Sequence, residues 1–226
     1  MIKRILFSIA ETFLRNISGG IGQKLRYFYY KRRFKRCGSD IRIDIGVIFE
    51  NPENMEIGSH VWFMEYSHII ARPINFDPQD RFIKVIKNDS FEGERAELLQ
   101  IGSEIQIGPY NIIHGYGGVI IKDRVTLSAR VSIYSYSHYY RNDNNPSLIT
   151  YANGMVKSGP ISCVESPIVL EDGVWLGIGV CVFSGTIKRD SFVVSGSIVT
   201  QDISENTYAL GHPATKVKER FSDYQY

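Results

Sequence analysis

Aliphatic residues recur at about every sixth position over most of the chain, and a small or branched residue often follows four positions later. These hexads fall into three blocks, which cover residues 57–74, 101–138 and 170–204. A helix needs apolar residues every three or four positions, and a single strand needs them at every second position. A period of six therefore predicts short strands joined by tight turns, with one inward aliphatic side chain in each hexad.

Stacked coils are the arrangement that this period favours. Three hexads make one triangular coil, and coils stack about 4.8 Å apart through parallel strand pairing. One coil buries little apolar surface alone, so several must share a continuous core. The sequence thus predicts an all-β solenoid over residues 41–210. Its 30 Ile and 16 Val against 10 Leu agree with strands, because branching at Cβ suits a pleated surface.

Two stretches interrupt the period. Residues 75–100 are charged and aperiodic, and residues 139–167 are polar and contain Asn, Pro and Gly. We predict that both are loops that protrude from one edge of the coils, because long loops on a rigid scaffold often carry function. Residues 211–226 are predicted to form a C-terminal tail.

The N-terminal segment, residues 1–40, has a different pattern. Six apolar residues fall on one face of a predicted helix: Ile2, Ile5, Leu6, Ile9, Phe13 and Ile17. A basic and aromatic stretch follows, so residues 1–37 hold ten Lys and Arg and one acid, a net charge of 10 − 1 = +9 in a chain of +2. Two interpretations stay open: peripheral docking on anionic lipid, or a helical cap over the open end of the solenoid. We expect no nucleic-acid partner, because no recognised motif accompanies the charge.

The cysteines and the apolar runs predict a cellular location. Three cysteines cannot all pair within one chain, and the absence of a C-x-x-C motif favours reduced thiols. No apolar run approaches the ~18 residues of a membrane span, and the N-terminus lacks the small-residue cleavage site of a secretory signal. We therefore expect a cytoplasmic protein, at the inner face of the membrane if residues 1–37 dock on lipid.

Three motifs carry a resemblance to a known family. They are IKDRVTLSARVSIYSYSH (121–138), PIVLEDGVWLGIGVCV (167–182) and GSIVTQDISENTYALGHPATKVKER (196–220). With them the chain resembles the left-handed parallel β-helix, or hexapeptide-repeat, acyltransferases, and among these the sugar and polysaccharide O-acetyltransferases. The resemblance implies a left-handed coil, acetyl-CoA as co-substrate, and a homotrimer with active sites between neighbouring subunits.

The first motif ends in His138, where the family has its catalytic histidine. A neutral imidazole can take the proton from a sugar hydroxyl that attacks the thioester. The resemblance also implies that Trp175, Gly177, Ser195, Gly196, Lys216 and Lys218 bind the cofactor. The predicted acceptor-binding residues are Asn111, at a position similar to an Asn of galactoside-type relatives, and Tyr136, Tyr139 and Asp143, which flank His138. A structural or solvent-exposed role is the alternative for each of them.

The other histidines, His60, His68, His114 and His212, are interpreted as structural or surface residues. Their spacing matches no zinc triad, so we expect no metal site. Together these features predict an acetyl-CoA-dependent O-acetyltransferase that modifies a sugar hydroxyl of a bacterial surface polysaccharide or its precursor. An N-acetyltransferase of an amino-sugar nucleotide and a non-catalytic β-helix scaffold are the alternatives. His138 and the terminal GHPA motif (211–214) favour an enzyme over a scaffold.

Overall fold

The computed structural model describes residues 2–76, 81–91, 99–148 and 161–221. Over these residues the chain passes in turn through three largely parallel sheets, here called sheets A, B and C. One pass through the three sheets makes one coil. The predicted mostly-β class with parallel strand pairing is therefore confirmed.

Two helices precede the coils, α1 (Ile2–Asn16) and α2 (Gly19–Lys31). Sheet A contains β1 (Arg36–Cys37), β4 (Met55–Ile57), β8 (Leu99–Ile101), β11 (Val119–Ile121), β16 (Ile168–Leu170) and β19 (Gly185–Ile187). Sheet B contains β2 (Ile41–Ile43), β5 (Val61–Phe63), β9 (Ile105–Ile107), β12 (Thr126–Leu127), β17 (Trp175–Leu176), β20 (Phe192–Val193), β22 (Thr207–Gly211) and β23 (Ala214–Glu219). Sheet C contains β3 (Ile48–Glu50), β6 (His68–Ala71), β10 (Ile112–Gly115), β13 (Ser132–Tyr134), β18 (Cys181–Val182) and β21 (Ile198–Val199). A small sheet D contains β7 (Arg81–Val85), β14 (Tyr136–His138) and β15 (Ile161–Glu165), and short 3-10 helices cover Pro52–Asn54 and Asp89–Phe91.

The inward side chains of successive coils stack in register. In sheet B one such row consists of Ile43, Phe63, Ile107, Leu127, Leu176, Val193 and Ala209. Every member of this row is fully buried. Burial of one large aliphatic side chain contributes about 1.5–3 kcal/mol, so the hexad spacing stabilises the coils directly.

Both interruptions of the hexad pattern leave the coil where sheet C connects to sheet A, a border that we call the C/A edge. Their described parts include strands, because the first interruption supplies β7 of sheet D and the second supplies β15, whereas residues 77–80, 92–98 and 149–160 lie outside the described residues. Strand β15 pairs antiparallel with β14 and parallel with β7. Arg72, which follows β6 just before the first interruption, also donates from Nη2 to Glu165 Oε1 of β15 at 2.8 Å. The segments RFIKV and ISCVE contain the β-branched and aromatic residues that strands favour, but they are short and do not alternate, so the six-residue pattern gives no sign of them.

Helices α1 and α2 form a hairpin over the first coil. The rings of Tyr30 and Phe34 lie 4.7 and 5.0 Å from that of Phe49, centroid to centroid. Arg26 is 1% exposed, and its Nε donates to Ile43 O at 2.8 Å. Burial lowers the pKa of Arg26, and the charge of nearby Asp44 opposes this shift. The hairpin therefore covers the open end of the core.

The coils extend beyond the predicted limits at both ends. Strand β1 lies inside the predicted N-terminal segment and pairs with β4 of sheet A. Strand β23 lies inside the predicted tail and pairs antiparallel with β22 of sheet B. Cys37, Cys163 and Cys181 are free thiols. Among the described residues, no helix combines the length and the apolar content that a membrane span needs.

Candidate active site

His138 is the last residue of β14, where sheet D departs from the C/A edge. It pairs with buried Cys163 of β15, and the following residue, Tyr139, donates its backbone N–H to Ser162 O at 2.8 Å. The His138 side chain is exposed. An accessible imidazole on a backbone fixed by a sheet is the arrangement that a general base needs.

A glycine corner positions the strand that leads to His138. A Cβ on Gly117 would lie 2.1 Å from Ser135 O, so only glycine permits this approach. Ser135 Oγ accepts from Gly117 N at 3.0 Å and donates to His114 O at 2.9 Å. The Gly-rich break in the hexads at 114–119 therefore serves a close backbone contact, and this contact sets where β14 begins.

His114 lies in this region too, although we expected a structural or surface histidine. Its ring is nearly parallel to those of Tyr134 and Tyr136, at centroid distances of 5.8 and 6.0 Å, and lies 4.7 Å from that of Tyr116. Tyr136 and His138 are two residues apart in β14, so their side chains share one face of that strand. A line of rings thus leads from His114 towards His138. The Gly-rich break beside His114 is the one signal in the sequence that could have indicated it.

The outer face of sheet C continues this line with further titratable groups. Glu50 Oε1 and His68 Nε2 are 2.7 Å apart. Burial lowers the pKa of His114, the charge of Glu50 opposes this shift, and His68 and His138 lower the pKa further. Because the ordinary pKa of a histidine is about 6.5, His114 is neutral at pH 7.

Tyr139 and Asp143, two of the predicted acceptor residues, form an exposed cluster with two cations. Lys84 Nζ donates to Tyr139 Oη at 2.9 Å and lies 3.3 Å from Asp143 Oδ2, while Arg141 Nε donates to Asp143 Oδ1 at 2.6 Å. The hydrogen bond from Lys84 lowers the pKa of Tyr139. Desolvation would raise the pKa of Asp143, but the hydrogen bonds from Lys84 and Arg141 outweigh it and lower that pKa. Lys84 comes from the first interruption and was not indicated by the sequence.

Asn111 and Tyr136, two of the predicted acceptor-binding residues, are both buried in the structure. Asn111 is fully buried inside the coil, where its Oδ1 accepts from Val131 N at 2.7 Å, so the predicted acceptor contact of Asn111 disagrees with the structure. Its amide instead links two successive coils. Tyr136 is 7% exposed and packs beside His114, so it serves mainly to position the neighbouring rings.

Trp175 lies on the outer face of sheet B and is 45% exposed. Its Nε1 donates to Ser128 Oγ at 3.0 Å, and its ring lies 5.4 Å from that of Phe192. The row continues to Tyr208, 5.5 Å from Phe192, and Lys218 Nζ lies 5.2 Å from the centre of the Tyr208 ring. An aromatic row that ends at a cation suits an extended ligand with an anionic end.

The small residues predicted to bind cofactor lie where sheet B connects to sheet C. A Cβ on Gly177 would lie 2.6 Å from Ser195 N, and Ser195 Oγ accepts from Ile178 N at 3.0 Å. Gly196 has a φ of +76°, which favours glycine. Ser195 and Gly196 are exposed, so a ligand can approach the backbone here. Lys216 is paired with Glu219 on β23.

These two sets of residues do not meet within one chain. His138 and the rings around it lie at the C/A edge, whereas Trp175 and Lys218 lie on the outer face of sheet B. In a coil made of three sheets, the C/A edge is opposite sheet B, and the buried core separates the two. In the described part of the chain, no group of three or more His, Cys, Asp or Glu side chains is placed to hold a metal ion.

Comparison with known proteins finds acyltransferases among the proteins that are similar to this chain. No protein-family model matches the chain. The dTDP-4-amino-4,6-dideoxy-D-glucose acyltransferase of Escherichia coli is 26% identical over 188 residues, which cover 83% of this chain and 83% of that protein. The galactoside O-acetyltransferase of Escherichia coli K12 is 26% identical over 194 residues, which cover 79% of this chain and 87% of that protein. The chain spans 64% and 26% of the length of two relatives from Saccharomyces cerevisiae and Schizosaccharomyces pombe that are named as acetyltransferases.

Solved structures show the same fold. A point variant of AntD, an N-acyltransferase from Bacillus cereus in complex with dTDP and coenzyme A, matches with a TM-score of 0.65 at 18% identity and covers 86% of this chain and 88% of that chain. The chain resembles the hexapeptide-repeat acyltransferases in sequence and in fold. This confirms the resemblance predicted from the three motifs. The names of these relatives and the coenzyme A bound to AntD also agree with the predicted enzyme class and co-substrate.

Proposed function

We propose that this protein transfers an acetyl group from acetyl-CoA to a sugar hydroxyl, with His138 as the general base. The observation that carries the proposal is the exposed imidazole of His138 on a strand fixed at the C/A edge. His138 takes the hydroxyl proton while the sugar oxygen bonds to the thioester carbonyl carbon. The C–S bond then breaks, and the coenzyme A thiolate receives the proton from His138. The proposed acceptor is a bacterial surface polysaccharide or its precursor.

The cofactor half of the site would lie on the outer face of sheet B. The row of Trp175, Phe192 and Tyr208 offers an apolar surface for the pantetheine arm, and Lys218 offers a cation for a phosphate. Gly177, Ser195 and Gly196 would let the cofactor approach the backbone where sheet B meets sheet C. Lys216, beside Lys218 on β23, would add positive charge once its pairing with Glu219 is exchanged for a phosphate.

A homotrimer would complete this site. Because the C/A edge and the outer face of sheet B lie on opposite sides of one chain, a site that uses both needs a second copy. In a closed ring of three subunits, the C/A edge of each subunit can face sheet B of the next. The left-handed sense of the coil, which the motifs imply, forms part of the same proposal.

Transfer to an amine is the second candidate. It is favoured by the E. coli relative that acylates a dTDP-amino sugar, because that relative aligns over 83% of this chain. An amino-sugar nucleotide would then be the acceptor, and the product would be an amide. His138 would have the same role, since an attacking amine also loses a proton during transfer.

The two candidates differ in their products, so one assay separates them. The purified protein is incubated with acetyl-CoA and either neutral glycans or amino-sugar nucleotides, and the release of free thiol is followed. Hydroxylamine then cleaves an ester product and spares an amide. We expect thiol release with a neutral glycan and a cleavable product. A stable product from amino-sugar nucleotides alone would support the second candidate, and the absence of transfer to every acceptor would contradict both.

We also propose that the helical hairpin docks on anionic lipid. Helix α2 covers the core with one side, and its other side exposes Ile21, Leu25 and Phe28, while α1 exposes Phe13 by 71%. Residues 21, 25 and 28 share one helix face. This apolar surface lies within a segment of charge +9, which complements an anionic membrane. The protein would then work at the cytoplasmic face of the membrane.

Vesicle sedimentation tests this docking. We expect binding to vesicles that contain phosphatidylglycerol, weaker binding to pure phosphatidylcholine, and loss of binding in a triple variant, Phe13→Ser, Ile21→Ser and Phe28→Ser. Ile74→Ser is the matched control, because Ile74 is 73% exposed outside the hairpin. Unchanged sedimentation of the triple variant, or a larger oligomer that dissociates in it without any vesicle binding, would contradict the proposal.

A further inference from the structure

The row of rings at the C/A edge contains a second histidine with an unusual environment. His114 lies on the outer face of sheet C, in register with Ile70 on one side and Tyr134 on the other. Tyr134 in turn stacks against Phe183, with their ring centroids 6.2 Å apart. Stacked rings present their edges, rather than their faces, to the solvent beside the sheet. The atoms at the edge of the His114 ring are therefore the ones that a ligand meets.

The two ring nitrogens of His114 are not equivalent. Nδ1 is buried and has no hydrogen-bond partner among the described residues, so Nε2 is the nitrogen that a ligand can reach. A neutral imidazole carries its proton on one nitrogen and accepts with the other. A buried N–H that bonds no other residue is costly, and we infer on this ground that the proton of the neutral ring lies on Nε2. With that tautomer, His114 offers a hydrogen-bond donor to a ligand at the C/A edge.

The surroundings hold this donor in place. Tyr134 and Tyr136 are within 15° and 16° of parallel to the His114 ring, and Tyr116 packs at 35° to it. The backbone carbonyl of His114 accepts from both the N–H and the Oγ–H of Ser135. Such fixed side chains suit a binding group, because little conformational freedom is lost when a ligand arrives.

We propose that His114 is an acceptor-binding residue whose Nε2–H donates a hydrogen bond to an oxygen of the sugar that His138 deprotonates. The inference rests on the proposed function and adds to it the residue that orients the acceptor. Its position fits, because Tyr136 bridges the two histidines: its ring packs on His114, and its side chain shares a strand face with His138. The ligand class is a sugar with a free hydroxyl or ring oxygen within reach of both imidazoles. The burial of His114, which lowers its pKa, keeps it a neutral donor beside the base.

Three substitutions separate a hydrogen-bonding role from a packing role. In His114→Gln the side-chain amide nitrogen can take the place of Nε2, and in His114→Asn it reaches only the place of Nδ1. His114→Phe keeps the stacked ring and removes both nitrogens. A packing role predicts that Phe preserves function best, whereas a donor role predicts that Gln does. His60→Asn is the matched control, because His60 is exposed on another part of the coil and asparagine tolerates its positive φ.

Steady-state kinetics with varied acceptor and saturating acetyl-CoA give the readout. We expect the acceptor KM to rise roughly 3- to 12-fold in His114→Phe and His114→Asn, because each variant loses one neutral hydrogen bond to the acceptor. His114→Gln should stay within about 3-fold of the wild type, and calorimetry should show unchanged binding of acetyl-CoA in all variants. If the wild type transfers acetyl groups but Phe and Asn leave the acceptor KM unchanged, or Phe outperforms Gln, this inference fails alone. If the wild type transfers nothing, the proposed function fails, and this inference fails with it.

Discussion

The C/A edge and the outer face of sheet B are built on the same coils, yet they differ in regularity. Sheet B runs from β2 to β22 with parallel neighbours in register, and the outer face of its last three parallel strands carries the row of Trp175, Phe192 and Tyr208. At the C/A edge, successive connections have very different lengths, from the short turn at 116–118 to the long excursion at 135–167. A periodic face suits an extended cofactor, whereas an irregular edge can present individual polar groups to one acceptor. This difference in regularity agrees with the proposed division of the site between opposite sides of the chain.

The largest effect should come from the irregular side. His138→Ala removes the proposed base, and we expect kcat to fall about 10²- to 10⁴-fold. Binding of acetyl-CoA should not change, because the cofactor residues lie on sheet B. Steady-state kinetics and calorimetry measure the two quantities, with His60→Asn as the control. Equal kcat values in His138→Ala and the wild type would show that His138 at the C/A edge takes no part in the chemical step.

Substitution on the outer face of sheet B should change the binding of acetyl-CoA and leave kcat unchanged. Trp175→Ala removes an exposed indole that packs on Phe192 and bonds Ser128, and we expect the Kd of acetyl-CoA to rise about 10-fold. At saturating acetyl-CoA, kcat should stay close to that of the wild type. Ile178→Ala is a suitable control for lost apolar surface, because Ile178 is 58% exposed beside the row. A fall in kcat with an unchanged Kd would contradict this division of roles.

A smaller effect should follow from loosening the glycine corner. Gly117→Ala places a Cβ 2.1 Å from Ser135 O, and crowding of this kind costs about 1–3 kcal/mol, or roughly 2–12 °C in Tm. Activity should fall as well, because the same contact sets the start of β14. Gly20→Ala has open space around its Cβ and serves as the control in thermal unfolding. If the two substitutions lower Tm equally, the close approach at Gly117 does not matter for stability.

The regular part of the molecule could be predicted from the sequence, because one physical requirement repeats. A row such as Ile43, Phe63 and Ile107 needs an inward apolar residue at each pass, and that requirement is visible as the hexad period. Most of the extent of the parallel sheets followed from it, although β1 lies before the first predicted coil. The grouping of Trp175 with Gly177 came from the resemblance, and the structure adds Phe192 and Tyr208 because rows across coils join residues far apart in sequence.

The irregular edge could not be predicted in the same way. Sheet D forms from RFIKV and ISCVE, two short segments whose pairing depends on contacts between distant interruptions. Asn111 looked like a ligand-binding residue, but its position in the turn places it inside the coil, where its amide bonds Val131. The sequence did not indicate the environment of His114, because Tyr134 and Tyr136 are distant in sequence and reach it only through pairing between coils.

Mixed trimers test the central claim most directly. His138→Ala and a second variant with both Trp175→Ala and Lys218→Gln are produced with different tags, and trimers that carry both tags are purified. In a ring where each site takes His138 from one subunit and sheet B from the next, every mixed trimer contains one site with both halves intact. At low acetyl-CoA, where each parent is inactive, we predict about one third of the wild-type activity per trimer. No recovery of activity in mixed trimers would contradict a site shared between subunits.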